Sequence, residues 1–339
     1  MDLLPAADFA TLRARLARSL PEADRAATDA ARARQASLTK PPGSLGVLED
    51  LAVFMAGWQG RERPRIESAQ AIVFAGNHGI CARGVNPFPQ AVTAQMVANF
   101  EAGGAAINQL CKAAGADLSV VALELERPTR DFTEAPAMTE AEVLAAMARG
   151  AAAVDPGADV VLLGEMGIGN STVAAALARG LFGGHASDWA GPGTGADARG
   201  VSLKARVIEE GIARHRPDPR DGLGLLAAFG GREQAAICGA VLAARQARVP
   251  VILDGFICTA AAAALSPCGG ALAHCLAGHC SAEPGHRRLL DALGLRPVLS
   301  LDMRLGEGSG AAVALGVLRA ALMAHDGMST FAEAGVSGG

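Results

Sequence analysis

The stretch DVVLLGEMGIGNSTVAAAL, Asp159 to Leu177, runs from an apolar segment through a turn on Gly164, Gly167 and Gly169 into an alanine-rich segment. An apolar run without polar alternation reads as a strand buried on both faces, which is how parallel sheets are made. The glycines let the backbone turn and approach a ligand closely, and Asn170, Ser171 and Thr172 stand where they can cap the helix that follows. Free N–H groups at such a helix start favour a phosphate. The order is GxxGxG and no Gly-Lys-Ser/Thr follows, so this is neither a Walker A loop nor the dinucleotide fingerprint. A tight strand-to-helix turn would use the same glycines.

The pattern repeats outward from this stretch. Short apolar runs recur at 71–76 (AIVFAG), 118–125 (LSVVALEL), 249–255 (VPVILDG) and 296–303 (RPVLSLDM), each separated from the next by helical sequence. Strands alternating with helices predict an α/β fold, a doubly wound and mostly parallel sheet flanked by helices. Residues 1–60 differ, because ADFATLRARLARSL, ADRAATDAARARQASL and SLGVLEDLAVFMAGWQG repeat their apolar positions at three and four and predict a helical lead-in. No internal repeat or low-complexity linker is evident.

Doubly wound sheets bind ligands beyond the carboxyl ends of their strands. Four of the five predicted strand ends are rich in Gly and polar residues, and a second glycine cluster, GPGTGADARGVSLK, supplies Gly191, Gly193, Gly195 and the cation Lys204. Two glycine loops and a lysine favour a phosphorylated substrate. Asp188 lies about where a ribose-binding acid would in a dinucleotide site, but the glycine order does not match. The last strand end, RLGEGSGAAVALGVLRAAL (304–322), sets a lone carboxylate, Glu307, between Gly306 and Gly308. An acid there is either a partner for the helix dipole or a group placed for chemistry.

Composition narrows the classes. The chain has 339 residues, half of them apolar, and a formal net charge of -4 from 30 basic and 34 acidic side chains that are interspersed. No basic stripe suits nucleic acid or an acidic membrane, and no apolar run is long enough to span one. The N-terminus is an acid-bearing amphipathic segment rather than a signal peptide, which predicts a cytoplasmic protein. Seven cysteines, unpaired in spacing, predict reduced thiols. The cluster CGGALAHCLAGHCSAEPGHR holds Cys268, His274, Cys275, His279, Cys280 and His286, yet it lacks a CxxC pair and its Ala/Gly/Leu setting suits buried thiols, so no metal is expected.

Taken together, the segments resemble the nicotinate-nucleotide:dimethylbenzimidazole phosphoribosyltransferase family, which makes the lower-ligand nucleotide of cobalamin. The resemblance runs in order through KPPGSLGVLEDLA (40–52), AGNHGI and GVNPFPQAVTAQM (75–96), GGAAIN (103–108), GEMGIGNSTVAAA (164–176), FGGREQAAICGA (229–240), LDGFICTAAA (253–262), SAEPGHRRLL (281–290) and MRLGEGSGAA (303–312). It implies a homodimeric enzyme with a large sheet domain, residues 61–322, and a small helical domain from residues 1–60 and 323–339. It implies as substrates nicotinate mononucleotide and a benzimidazole base, with no cofactor. By the same resemblance Glu307 is the catalytic glutamate and Glu165 a second acid. Gly167, Gly169, Asn170, Ser171, Lys204, Ser281 and Gly306 would line the ribose-phosphate pocket. Phe88 and Met96 stand where some members place polar residues against the base, which implies an apolar base wall. Two rival readings remain: a dinucleotide-binding oxidoreductase would use the glycine loop for a pyrophosphate but wants GxGxxG directly after the first strand of its unit, which is missing, and a non-catalytic binder of nucleotides or cobamide precursors would keep the glycine loops yet not need Glu307.

Overall fold

In the strand Val160–Met166, Val161 and Leu163 face one way, while Val160 and Leu162 face the other, and all four are buried. A strand hidden on both faces needs helices on both sides. The computed structural model describes residues 3–18 and 20–337; Met1, Asp2 and Ser19 of the amphipathic lead-in and Gly338 and Gly339 at the C-terminus lie outside them. It contains a six-stranded sheet of β1 (Ala69–Ala75), β2 (Asp117–Ala122), β3 (Val160–Met166), β4 (Val251–Leu253), β5 (Cys275–His279) and β6 (Pro297–Leu299). The order is β2-β1-β3-β4-β5-β6 and every pairing is parallel. The chain winds from β1 to β2 on one side and then to β3 on the other, which makes the gap between β1 and β3 the topological switch point.

Each face of the sheet has its own core. Ile72, Phe74, Val161, Leu163, Val251 and Leu253 pack with the helices Asn170–Phe182, Arg232–Ala247 and Phe256–Ala263. Ala71, Val73, Val160, Leu162 and Ile252 pack with the helices Val47–Gln59, Ala106–Ala114 and Ser309–Gly327. The two chain ends also meet. Leu38 bridges Thr330, and the Arg34 guanidinium donates to the carbonyls of His325, Asp326 and Met328 at 2.8–3.1 Å.

Five of the strands fall where the apolar runs predict them. β5 lies outside those runs, because Cys-Leu-Ala-Gly-His has neither a β-branched nor a large aromatic residue. Its composition follows from packing: a Cβ at Gly278 would lie 3.0 Å from both Ala311 Cα and Leu253 O, so the helix Ser309–Gly327 rests directly on the strand. The cysteine and histidine residues of this region disperse to separate partners. His274 bonds the Val241 carbonyl, His286 bonds Thr259 and Ser281, and Cys275 and Cys280 are buried. Among the described residues no three His, Cys, Asp or Glu side chains gather as a group that could hold a metal, and no helix is long and apolar enough to cross a membrane.

Candidate active site

At the switch point the β1 and β3 ends touch. Gly76 N–H donates to the Met166 carbonyl at 3.0 Å, and a Cβ at Gly167 would lie 2.5 Å from Gly76 O. Beside this contact a cavity of about 330 Å³ opens along the carboxyl ends of β3, β4, β5 and β6. Its wall brings together nine of the residues singled out in the sequence: Glu165, Gly167, Gly169, Asn170, Ser171, Lys204, Ser281, Gly306 and Glu307. A larger cleft, about 970 Å³, lies between the helices Arg25–Ser37 and Val47–Gln59 and holds none of them. Chemistry rather than size marks the site.

Glu307 sits in a turn where three successive residues have left-handed backbone, at φ +85° for Gly306, +65° for Glu307 and +86° for Gly308. Glutamate is rare in that region, so the surroundings must impose it. One constraint is close packing on β3: a Cβ at Gly164 would lie 2.6 Å from the Glu307 carbonyl carbon. The residue is 7% exposed, its Oε2 has no hydrogen-bond partner among the described residues, and burial raises its pKa above the ordinary carboxylate range. Such a group readily takes a proton from a neighbour in the cavity.

Glu165 stands next to it. Burial, reinforced by the charges of Asp254 and Glu233, pushes this carboxyl up to about 8, so at neutral pH it carries its proton. Asn170 Nδ2 donates to Oε2 of Glu165. A Cβ at Gly306 would lie 2.5 Å from Oε1, so the glycine before Glu307 makes room for the second acid.

The helix Asn170–Phe182 corrects one sequence expectation. Its N-cap is Gly169 at φ +94°, with no side-chain cap. Asn170 is committed to Glu165, Ser171 Oγ accepts from Lys204, and Thr172 Oγ1 is buried with no partner among the described residues. The polar side chains that looked like caps are turned into the site or the core.

Lys204 binds the two glycine loops together. Its ammonium, almost fully buried, donates to Ser171 Oγ at 3.1 Å and to the Gly191 carbonyl at 3.0 Å. Burial lowers its pKa while the nearby Glu283 opposes the shift. Glu283 Oε1 in turn accepts the Gly193 N–H at 2.9 Å. Ser281 is held by its neighbours, since its N–H donates to His286 Nδ1 at 2.8 Å and its Oγ accepts the Glu283 N–H at 3.1 Å. With Nδ1 accepting, the His286 proton resides on Nε2, which faces Thr259 Oγ1 at 3.1 Å; burial pushes the pKa down to about 3 and keeps the ring neutral.

Phe88 and Met96 do not line this cavity. Phe88 is 48% exposed, and Met96 is half-buried against the core of the helix Ser309–Gly327. Met166, Phe256, Ile257 and Leu305 provide apolar wall instead. Asp188 is also elsewhere, accepting the His185 N–H and pairing with Arg288. Sequence reasoning passed over Asn86, Glu283 and Arg304 and weighed His279 only as a metal ligand; all four line the cavity. Glu283 and Arg304 lie inside quoted motifs, but nothing in their spacing distinguishes them from surface charges.

Comparison with known proteins shows the family. A phosphoribosyltransferase family model matches residues 20–336. Nicotinate-nucleotide–dimethylbenzimidazole phosphoribosyltransferase of Rhodobacter capsulatus is 61% identical over 323 residues, covering 95% of this chain and 96% of the relative. The protein of that name from Novosphingobium aromaticivorans is 60% identical over 334 residues, covering 98% of each. The crystal structure of the Thermus thermophilus enzyme superposes with a TM-score of 0.85 at 40% identity, covering 93% of this chain and all of the other. The chain is an enzyme and belongs to the nicotinate-nucleotide–dimethylbenzimidazole phosphoribosyltransferase family.

Proposed function

We propose that the cavity takes nicotinate mononucleotide and 5,6-dimethylbenzimidazole and yields alpha-ribazole 5′-phosphate and nicotinate, with Glu307 as general base. One observation carries this reading: Glu307, a buried carboxylate with an oxygen that has no hydrogen-bond partner among the described residues, sits in a glycine-flanked turn that lines the same cavity a buried lysine borders. A ring nitrogen of the base uses its lone pair to bond C1′ of the ribose. The C1′ bond to the pyridinium nitrogen breaks, and its electron pair returns to the nicotinate ring, which leaves uncharged at nitrogen. The proton on the other nitrogen of the incoming base goes to Glu307, so the product ring is neutral.

Lys204 and the loops carrying Gly167, Gly169 and Gly193 suit the 5′-phosphate, and the glycine flanks of Glu307 leave space for a planar base. Glu165, protonated at neutral pH, adds no second negative charge beside the base. Incubation with the two substrates and measurement of nicotinate release tests the activity; no release sinks it.

The same reading makes the enzyme a cytoplasmic homodimer, which light scattering of the purified protein checks for assembly. It also divides the chain into a sheet domain, 61–322, and a small helical domain from 1–60 and 323–339. The contacts of Arg34 and Leu38 with residues 325–330 support that pairing of the ends.

A further inference from the structure

We propose that Asp254, which follows β4 and does not line the cavity, is a positioning residue that holds Glu307 in its left-handed turn. The helix Ser309–Gly327 begins at Gly308, which has no side chain to cap it. Asp254 takes that part from the neighbouring strand. Its Oδ2 accepts the Gly308 N–H at 3.2 Å and its Oδ1 accepts the Ala311 N–H at 3.0 Å. The carboxylate is completely buried, with the His279 Nε2 3.7 Å from Oδ1.

These bonds fix the residue immediately after Glu307, while the glycine contact with Gly164 fixes Glu307 itself from the β3 side. Between the two constraints the backbone has no freedom to relax into an ordinary right-handed or extended conformation. Loss of the Asp254 acceptor pair releases one constraint, and the Glu307 carboxylate then samples positions from which it no longer meets the departing proton. A shift of about 1 Å in a reacting group is worth on the order of 100-fold in rate.

The inference rests on Glu307 being the base, and a double-mutant cycle separates the two claims. Asp254→Asn is expected to lower kcat by about 10- to 100-fold while KM for nicotinate mononucleotide stays within about twofold. In a Glu307→Gln background the same change is expected to cost less than about twofold, because a residue acting through Glu307 has nothing left to position. Amide exchange should quicken over residues 304–312 with protection elsewhere unchanged. A Glu307→Gln enzyme at full activity overturns both the base and the positioning role. An impaired Glu307→Gln enzyme with fully additive losses in the double variant overturns the positioning role alone. If the added amide of Asn prevents folding, Asp254→Ser keeps one acceptor, adds no N–H, and passes through the same cycle with the same outcomes.

Discussion

At one end of the cavity Lys204 reaches Ser171 Oγ and the carbonyls of Gly191 and Pro192, with Glu283 close by; at the other Glu307 keeps an oxygen that has no hydrogen-bond partner among the described residues. Both ends lie against glycine turns, and both hold a charged group out of solvent. They differ in satisfaction. The cation is tied down by internal acceptors, which holds it in place for a phosphate that adds to an existing network. Burial raises the pKa of the carboxylate, and being short of a donor it has work to do only when a proton arrives. A paired charge serves binding and an unpaired one serves turnover, and the two ends should respond to substitution in different kinetic constants.

The largest effect is expected at the unpaired end. Glu307→Gln keeps size and hydrogen bonding but removes the base, and kcat should fall by about 100- to 10,000-fold, the usual worth of a general base. Circular dichroism should be unchanged. Near-full turnover at saturating substrates would erase the distinction between the two ends. The paired end should answer in binding. Lys204→Ala removes a charge-assisted contact of about 1.5–3 kcal/mol, so Kd for nicotinate mononucleotide should rise by roughly 10- to 150-fold with the free base little affected. Equal losses for both substrates in calorimetry would make Lys204 a structural tie between the loops.

The sheet was legible because buried strands must be apolar whatever else they do. β1 and β3 announce themselves with Ile72-Val73-Phe74 and Val160-Val161-Leu162-Leu163. β5 stayed hidden because the helix that lies on it demands glycine and small residues, and those suppress the strand signal. Within the site, glycine order marked where a ligand could approach, but not which side chains face it. Phe88 and Met96 illustrate this: positions counted along a chain carry no direction, and neither side chain stands in the wall of this cavity, Met96 being half-buried in the same apolar cluster as Met166. Asp254 and Glu283 act through backbone N–H groups of distant segments, and no local pattern records such a partner.

The acid end should also show itself in stability. Glu165 titrates at about 8 in the folded chain, mainly through burial, against about 4.3 when exposed. Because its folded pKa is raised, its contribution is fully present below about pH 4, declines as pH rises through the window up to about 8, and is flat above. Glu165→Gln copies the protonated form and lacks this slope. Melting temperatures of the two proteins should therefore be close at pH 5 and diverge with rising pH, the variant being more stable by roughly 3–8 °C at pH 9. A constant difference across that range would mean that Glu165 is ionised throughout, and the acid end would then hold two charges rather than one.

The smallest expected effect concerns the wall between the two ends, where the base would lie. Met166 lines the cavity at the end of β3, whereas Met96, half-buried in the same apolar cluster, does not. A thioether and the apolar groups of Phe256, Ile257 and Leu305 suit the methylated edge of dimethylbenzimidazole, but they offer no acceptor to the exocyclic amine of adenine. An amine left unpaired costs about 1–3 kcal/mol, which corresponds to a preference of roughly 5- to 150-fold for the benzimidazole. With both bases at equal concentration and nicotinate mononucleotide limiting, product ratios report that preference directly. Met166→Gln should narrow it about threefold by supplying a carbonyl acceptor, within the ~0.5–1.5 kcal/mol of a neutral hydrogen bond. Met96→Gln should leave it within about twofold. If Met96→Gln narrowed the ratio and Met166→Gln did not, the base would have to contact the helix Ala91–Glu101 rather than the wall at the end of β3, and the two ends of the cavity would be spanned by a substrate lying in a different direction.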